Sequence, residues 1–249
     1  MSSLATPDDS PKENVELRFA EVYKSPEWQN LNEVDRSQLL MVAEGVKPGT
    51  IIGGDFTNFQ GILDKLGLEA SLNSEPGQLY PVYKVAKPEV LAQYFREILT
   101  IPESSDIDAF HRVNGKFLGY PECCTEEYNN PRKNAEARKK YSPRKFISNF
   151  EYELKKMIDE TGTYPEEFDF TPPSFTPCGA HCEAAIAQLR KWKAVVEAGD
   201  PKAARELQLY RWANGPQKKI HQQEIDKIDS EGLLEYKIAQ MRNEILGSI

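Results

Sequence analysis

Four cysteines are the residues of this chain whose type and spacing most clearly predict chemistry. Thiolates bind zinc and iron–sulfur clusters, and the 249-residue sequence has only these four. They lie in two short motifs, Gly119-Tyr120-Pro121-Glu122-Cys123-Cys124 and Thr176-Pro177-Cys178-Gly179-Ala180-His181-Cys182. This clustering predicts a metal site with Cys123, Cys124, Cys178 and Cys182 as its ligands.

A proline precedes each cysteine pair and predicts a helix start. Proline suits the first helical position because its φ is preset and its missing N–H is not needed there. We therefore expect helices to begin at Pro121 and Pro177, each with its cysteines in the first turn and the second with Thr176 as N-cap. Cys178 and Cys182 would then share one helix face. That face continues toward the interior through Ala185, Leu189, Trp192 and Val196.

The metal is not decided by the spacing of the cysteines. Helix N-termini favour the thiolate form, so two converging starts could hold zinc or a [4Fe–4S] cluster. Structural zinc sites usually separate paired cysteines by two residues, whereas here one pair is adjacent and the other has three residues between. Adjacent ligands fit a single small ion less easily than a cluster with four separate irons. Both cofactors stay open.

Three other roles for the cysteines also stay open. Free cysteine often behaves as a small buried hydrophobe. Two disulfides could join the motifs, although strain disfavours the vicinal pair and such bonds are uncommon in a reducing cytosol, except in hyperthermophiles. A reactive thiolate could act as a nucleophile in an enzyme.

The sequence has three histidines, and two of them are candidate accessory ligands. His181 directly precedes Cys182, and His111 lies shortly before the first motif, so both are candidate accessory ligands. On a helix, however, His181 would lie about 100° from Cys182, which favours a solvent-facing position. His221 falls in a polar helix, and we expect it at the surface.

The charge balance argues against loose binding to DNA. The formal net charge is −8, so only a local basic run could attract a polyanion. That run contains Arg132, Lys133, Arg138, Lys139, Lys140, Arg144 and Lys145. It is typical of a solvated helix face, with RNA binding as the alternative.

Several classes of protein are disfavoured by pattern. The longest aliphatic run, Leu39 to Ala43, is too short for a membrane span, and residues 1–14 are predicted to be a disordered tail without a signal peptide. Standard phosphate-binding, dinucleotide-binding, serine-hydrolase and zinc-protease motifs are missing from the sequence. We expect a cytoplasmic protein.

The elements that must position the cysteines form an α+β fold in two modules. Residues 15–105 are predicted as a small β-hairpin with helices, and residues 106–249 as a mostly helical module. In the first module we expect helices at 15–23, 33–44, 58–66 and 88–99, and strands at 68–72 and 79–86. Residues 46–54 are expected to be a loop or a short strand. Pro81 would place its strand near an edge of the sheet.

In the second module the periodic segments predict helices at 142–161, 177–198, 201–212, 218–228 and 233–246. The boundary between the modules is expected at 101–105, where proline and serine interrupt the pattern. In the last helix, Leu234, Ile238, Met241 and Ile245 form an apolar seam. This seam indicates packing within the chain or a homodimer.

The motifs also resemble those of a largely archaeal family, domain of unknown function number 483. The resemblance rests on Phe117-Leu118-Gly119-Tyr120-Pro121-Glu122-Cys123-Cys124 and Pro177-Cys178-Gly179-Ala180-His181-Cys182, and extends back to about Phe56. It implies a helix, a hairpin and another helix before the first motif, and implies no activity. The sequence alone therefore predicts a cytoplasmic metalloprotein, with a redox or RNA-related role if the basic run reaches the site. The alternative is a structural or interaction protein with buried or disulfide-bonded cysteines, and RNA or protein as partner.

Overall fold

A computed structural model of the chain describes residues 17–53, 59–73, 81–101, 107–128, 149–172 and 175–229. The predicted N-terminal tail, the module boundary beyond Ile101, the basic run, the first residues of the helix predicted from Ser142 and the terminal helix with its apolar seam lie outside these residues. The fold is α+β, as predicted: a small antiparallel sheet and many helices. Among the described helices, none has the length and apolar character to cross a membrane.

The first half of the chain contains the sheet and five helices among its described residues. They are α1 (Ala20–Tyr23), α2 (Pro26–Gln29), α3 (Glu33–Ala43), β1 (Gly49–Gly53), α4 (Gln60–Leu66), β2 (Glu69–Asn73), β3 (Val82–Ala86) and α5 (Pro88–Leu99). The helix predicted at 15–23 is described only as the short α1, and α2 was not predicted. Local signals set the start of α3 and the end of α4. Asn32 caps α3 by accepting the N–H of Asp35, and Gly67 ends α4 in the left-handed conformation.

The described second half is helical. It contains α6 (Ile107–Phe117), α7 (Glu122–Tyr128), α8 (Asn149–Thr161), a 3₁₀ helix (Glu166–Phe170), α9 (Glu183–Gly199), α10 (Pro201–Asn214) and α11 (Lys218–Asp229). Helix α10 begins at its predicted proline, and α11 closely matches its predicted range. Helix α9 starts later than predicted, which changes the geometry of the second cysteine motif.

The sheet has the strand order β1-β3-β2, and both pairings are antiparallel. The prediction that Pro81 marks an edge strand is wrong, because β3 is the central strand. Pairing begins at Val82, opposite Gly53 on one side and Asn73 on the other. Pro81 therefore precedes the ladder, where its missing N–H costs no hydrogen bond. Residues 49–53 form a short strand, one of the two alternatives expected for residues 46–54.

One large hydrophobic core draws on both halves of the chain. Trp28, Leu39 and Leu63 from the first half share it with Leu189 and Trp192 from the second. Helix α3 packs against α9 and α10. At this contact Gly199 allows close approach, since a Cβ there would lie 2.4 Å from a methyl carbon of Leu40. The division into two modules stays a prediction.

A buried ion pair links the N-terminal helices to the turn between α9 and α10. Arg36 Nε lies 2.9 Å from Asp200 Oδ2, and both side chains are almost fully buried. The same oxygen accepts the indole N–H of Trp28 at 3.0 Å. The other carboxylate oxygen caps α10 by accepting the N–H of Ala203. Asp200 thus joins segments that are far apart in the sequence.

Replacing Asp200 by Asn should be strongly destabilising. Asparagine can still cap α10, but it removes the closer and more deeply buried carboxylate from the Arg36 charge and leaves only Glu33 at 3.7 Å. We therefore expect the free energy of unfolding to fall by about 3–5 kcal/mol. Denaturant unfolding measures the change. The control is Lys202→Ala, because Lys202 makes an exposed 3.7 Å pair with Glu33 whose loss should cost about 0.5 kcal/mol or less. Equal losses in the two variants would contradict this assignment.

Candidate metal centre

A tight corner between α6 and α7 positions the first cysteine motif. The N–H of Tyr120 donates to Gly115 O at 2.8 Å, and the N–H of Gly119 donates to Lys116 O at 3.1 Å. This pattern is a Schellman motif with glycine in the left-handed position, and Gly119 has φ of 71°. Because Pro121 follows Tyr120, α7 begins at Glu122, soon after α6 ends at Phe117.

The prediction that Pro121 places Cys123 and Cys124 in a first helical turn is confirmed. The Pro121 carbonyl accepts the N–H groups of Cys124 and Thr125 at 3.0 and 3.1 Å. Cys124 points inward and is 3% exposed, whereas Cys123 is exposed. Helix α7 lies close to α6 because Gly115 faces Thr125, where a Cβ would be 2.3 Å from the threonine oxygen.

The prediction that Pro177 begins a helix is wrong. Residues 175–182 form an irregular turn, and α9 begins only at Glu183. Cys178 therefore lies before the helix, and the N-cap is Cys182 instead of Thr176. The Cys182 sulfur accepts the N–H of Ala185 at 3.4 Å. The apolar face beyond it, Ala185, Leu189, Trp192 and Val196, is buried as predicted.

A carboxylate from α8 holds this turn in place. The N–H of Ala180 donates to Glu153 Oε2 at 2.9 Å. Gly179 makes the approach feasible, because a Cβ there would lie 2.5 Å from the same oxygen. Sequence reasoning missed Glu153, since nothing in the pattern of α8 distinguishes it from other surface acids.

Contacts between aromatic rings connect the two cysteine segments. Tyr120, before α7, stacks on Phe175 with ring centroids 4.7 Å apart, and Phe175 meets Trp192 of α9 edge-on at 5.7 Å. The ammonium group of Lys47 lies 5.4 Å from the Trp192 ring and donates to the side chain of Gln38. Burial lowers the pKa of Lys47 to about 7. The contacts run continuously from the first cysteine motif to α9.

The two segments bring the four sulfur atoms together, all within 4.8 Å of one another. The Sγ of Cys182 lies 3.7 Å from that of Cys123 and 3.8 Å from that of Cys124. The Sγ atoms of Cys123 and Cys124 are 4.0 Å apart. The predicted ligands therefore form one compact cluster with the dimensions of a metal-binding site.

Burial and mutual repulsion make it costly for all four thiols to ionise without a cation. Burial raises the pKa of Cys124 far above its ordinary value, and neighbouring thiols add to the rise. Burial likewise raises the pKa of Cys178 to about 12. At Cys182 burial acts in the same direction, but hydrogen bonds from Ala185 and the other thiols outweigh it and lower the pKa. A bound metal ion would supply the missing positive charge and keep the ligands deprotonated.

The histidines are placed outside the sulfur cluster. His181 is exposed and His111 lies on α6 edge-on to Tyr128 at 5.0 Å, and neither belongs to the group of potential ligands found among the described residues. His221, expected at the surface, is half-buried. Its ring stacks on Trp212 with centroids 3.8 Å apart, and its Nε2 is 2.8 Å from the Tyr164 hydroxyl.

Comparisons of the chain with protein-family models, curated proteins and solved structures gave no match. The chemistry of the site is therefore argued from its own residues. The resemblance of the cysteine motifs to a family stays a prediction.

Replacing Gly119 by Ala should disturb the corner that positions Cys123 and Cys124. Gly119 and Gly162 have nearly the same positive φ, 71° and 70°, but only Gly119 lacks space. A Cβ at Gly119 would lie 2.7 Å from Pro48 Cδ, whereas at Gly162 it would meet nothing within 4 Å. We expect Gly162→Ala to cost about 1–2 kcal/mol of unfolding free energy for its backbone alone. Gly119→Ala should cost about 1–3 kcal/mol more for the steric overlap.

Denaturant unfolding of the two variants measures this difference directly. Equal destabilisation would show that the contact between Gly119 and Pro48 does not constrain the corner.

Proposed function

We propose that the protein binds one zinc ion through Cys123, Cys124, Cys178 and Cys182, and that this ion joins α7 to the start of α9. The observation that carries the proposal is the spacing of the sulfurs. A tetrahedral ion with Zn–S bonds of about 2.3 Å requires its sulfurs to be about 3.8 Å apart. The three separations among Cys123, Cys124 and Cys182, which are 3.7, 3.8 and 4.0 Å, are close to this value, and the sulfur of Cys178 lies within 4.8 Å of the other three.

The same spacing favours a single ion over a [4Fe–4S] cluster. Each iron of such a cluster carries its own cysteine, so the ligand sulfurs stand on the outside of a multi-atom core. Those sulfurs must lie farther apart than ligands that share one ion. All four sulfurs here lie within 4.8 Å of one another, which leaves little room for a cluster core.

The ligand set supports a structural role for the ion. Catalytic zinc sites keep one coordination position for water or substrate, whereas four protein ligands close the tetrahedron. The ligands come from two segments separated by more than fifty residues. An ion held by both segments would therefore stabilise their contact and contribute to folding.

The alternative roles of the cysteines have weaker support. A disulfide needs two sulfurs at about 2.05 Å, and all four cysteines are free in the structure. A purely apolar role does not explain why Cys123 is exposed and grouped with three other thiols. A cytoplasmic location and RNA or protein partners stay predictions from the sequence.

Elemental analysis of the purified protein tests the proposal. We expect one zinc per chain and no stoichiometric iron, with four cysteines protected from alkylation in the native protein. Serine variants of each cysteine should weaken zinc binding by more than the roughly 10–100-fold that loss of an outer hydrogen-bond partner costs. A competition titration with a chromophoric chelator measures the affinity.

The matched control is His181→Ala, which changes an exposed neighbour of Cys182 and should leave zinc affinity unchanged. Two results would overturn the zinc assignment. One is stoichiometric iron, with or without inorganic sulfide, and the other is a metal-free protein whose four thiols react freely after purification without chelators.

Removing zinc should lower the stability of the protein. An ion that binds only the folded state stabilises it by about 2.7 kcal/mol when its free concentration is 100 times its dissociation constant. We therefore expect the thermal unfolding midpoint to fall with excess chelator and to recover when zinc is restored. An unfolding midpoint that does not respond to zinc would show that the ion does not join the two segments.

A further inference from the structure

We propose that the zinc centre is a peroxide-responsive switch in which Cys123 reacts first and Cys182 then closes a disulfide that releases the ion. This inference rests on the proposed zinc site, because it assigns a reactivity to the sulfurs that hold the metal. Two observations carry it: the unequal exposure of the four sulfurs and the distances between them.

The exposure of the four cysteines indicates that Cys123 is the one most accessible to an oxidant in solution. Cys123 is exposed, Cys178 and Cys182 are partly buried, and Cys124 is 3% exposed. A thiolate reacts with a peroxide only if the oxidant can reach it, so susceptibility follows thiolate character and accessibility. Zinc coordination keeps all four sulfurs as thiolates, which leaves exposure to decide among them.

Distance selects Cys182 as the partner. Its sulfur lies 3.7 Å from that of Cys123, closer than the 4.0 Å between Cys123 and Cys124. A bond between the adjacent residues Cys123 and Cys124 would also be strained. Cys182 is the N-cap of α9, so turning its side chain toward Cys123 gives up the 3.4 Å hydrogen bond from the Ala185 N–H and leaves the helical backbone bonds intact. Cys178 lies in the same irregular segment, but the described contacts within 4.0 Å of the Cys123 sulfur are those to Cys124 and Cys182.

The chemistry balances with a hydroperoxide as the only oxidant. The Cys123 thiolate attacks the peroxide oxygen, the O–O bond breaks, and a sulfenic acid forms while hydroxide or alkoxide leaves. The Cys182 thiolate then attacks the Cys123 sulfur, forms the S–S bond and displaces hydroxide. The two sulfurs lose two electrons in total, and the peroxide gains them.

The consequence for the metal follows from the number of ligands left. Cys124 and Cys178 remain as thiolates, and two sulfurs cannot complete a tetrahedral zinc site. The ion is therefore released when the disulfide forms. Reduction by a thiol would restore the four ligands and allow zinc to bind again.

The test uses the full-length, zinc-loaded protein treated with hydrogen peroxide. We expect one zinc to be released per chain, as detected with a zinc-responsive dye. At the same time the number of free thiols in the denatured protein should fall from four to two. A sulfenic-acid trap such as dimedone, added with the peroxide, should label Cys123. Trypsin should yield residues 117–132 linked to residues 157–190, and fragmentation should place the bond between Cys123 and Cys182.

Two histidine variants keep a four-ligand set while moving the reactive sulfur. Cys₃His sites bind structural zinc, so Cys123→His and Cys178→His are compared after each has been shown to hold one zinc. Only Cys123→His removes the attacking thiolate. Peroxide should therefore release zinc from the Cys123→His variant at least roughly tenfold more slowly than from the Cys178→His variant. If neither variant retains zinc, peptide mapping of the unmodified chain decides.

Failure of this inference and failure of the zinc proposal are distinguishable. A protein that holds no zinc before peroxide is added overturns both. A protein that holds zinc but keeps it and its four thiols under peroxide overturns only the switch. A disulfide between any other pair, or first labelling at any other cysteine, overturns the assignment of Cys123 and Cys182.

Discussion

The approach of α7 to the turn before α9 is the contact on which the site depends, because each segment supplies two of the four sulfurs. Neither pair could complete a four-sulfur site alone. The surrounding structure limits the freedom of both segments: a glycine corner and Pro121 place α7, and Glu153 anchors the turn at Ala180. The contacting rings of Tyr120, Phe175 and Trp192 connect them. These contacts hold the two segments close together, and a bound ion would add to them and offset the cost of bringing thiolates together.

The same arrangement ties the site to the sheet-containing half of the chain. Pro48, just before β1, packs against Gly119, and the carbonyl of Val46 accepts the indole N–H of Trp192 at 3.1 Å. Farther along α9, Asp200 joins Arg36 and Trp28. Helix α9 thus has one end at the sulfurs and the other at a buried ion pair, so changes at either end act on a shared core.

Local sequence signals predicted those features of the fold and the site that depend on residues close together in the sequence. The clustering of cysteines, the helix start at Pro121 and the central helices follow from spacing and from proline chemistry. The structure of the second motif could not be predicted in this way. Pro177 resembles a helix start, but the actual N-cap is Cys182, and cysteine is not usually expected at an N-cap. The central position of β3 and the role of Glu153 depend on contacts between distant segments, which local periodicity does not contain.

X-ray absorption at the zinc edge of the purified protein tests the central claim most directly, because it reports the atoms that touch the ion. The account predicts a single shell of four sulfur neighbours at about 2.3 Å, with no nitrogen or oxygen ligand. A shell containing nitrogen or oxygen, or zinc bound by fewer than four sulfurs, would contradict the proposal that Cys123, Cys124, Cys178 and Cys182 close one tetrahedral site.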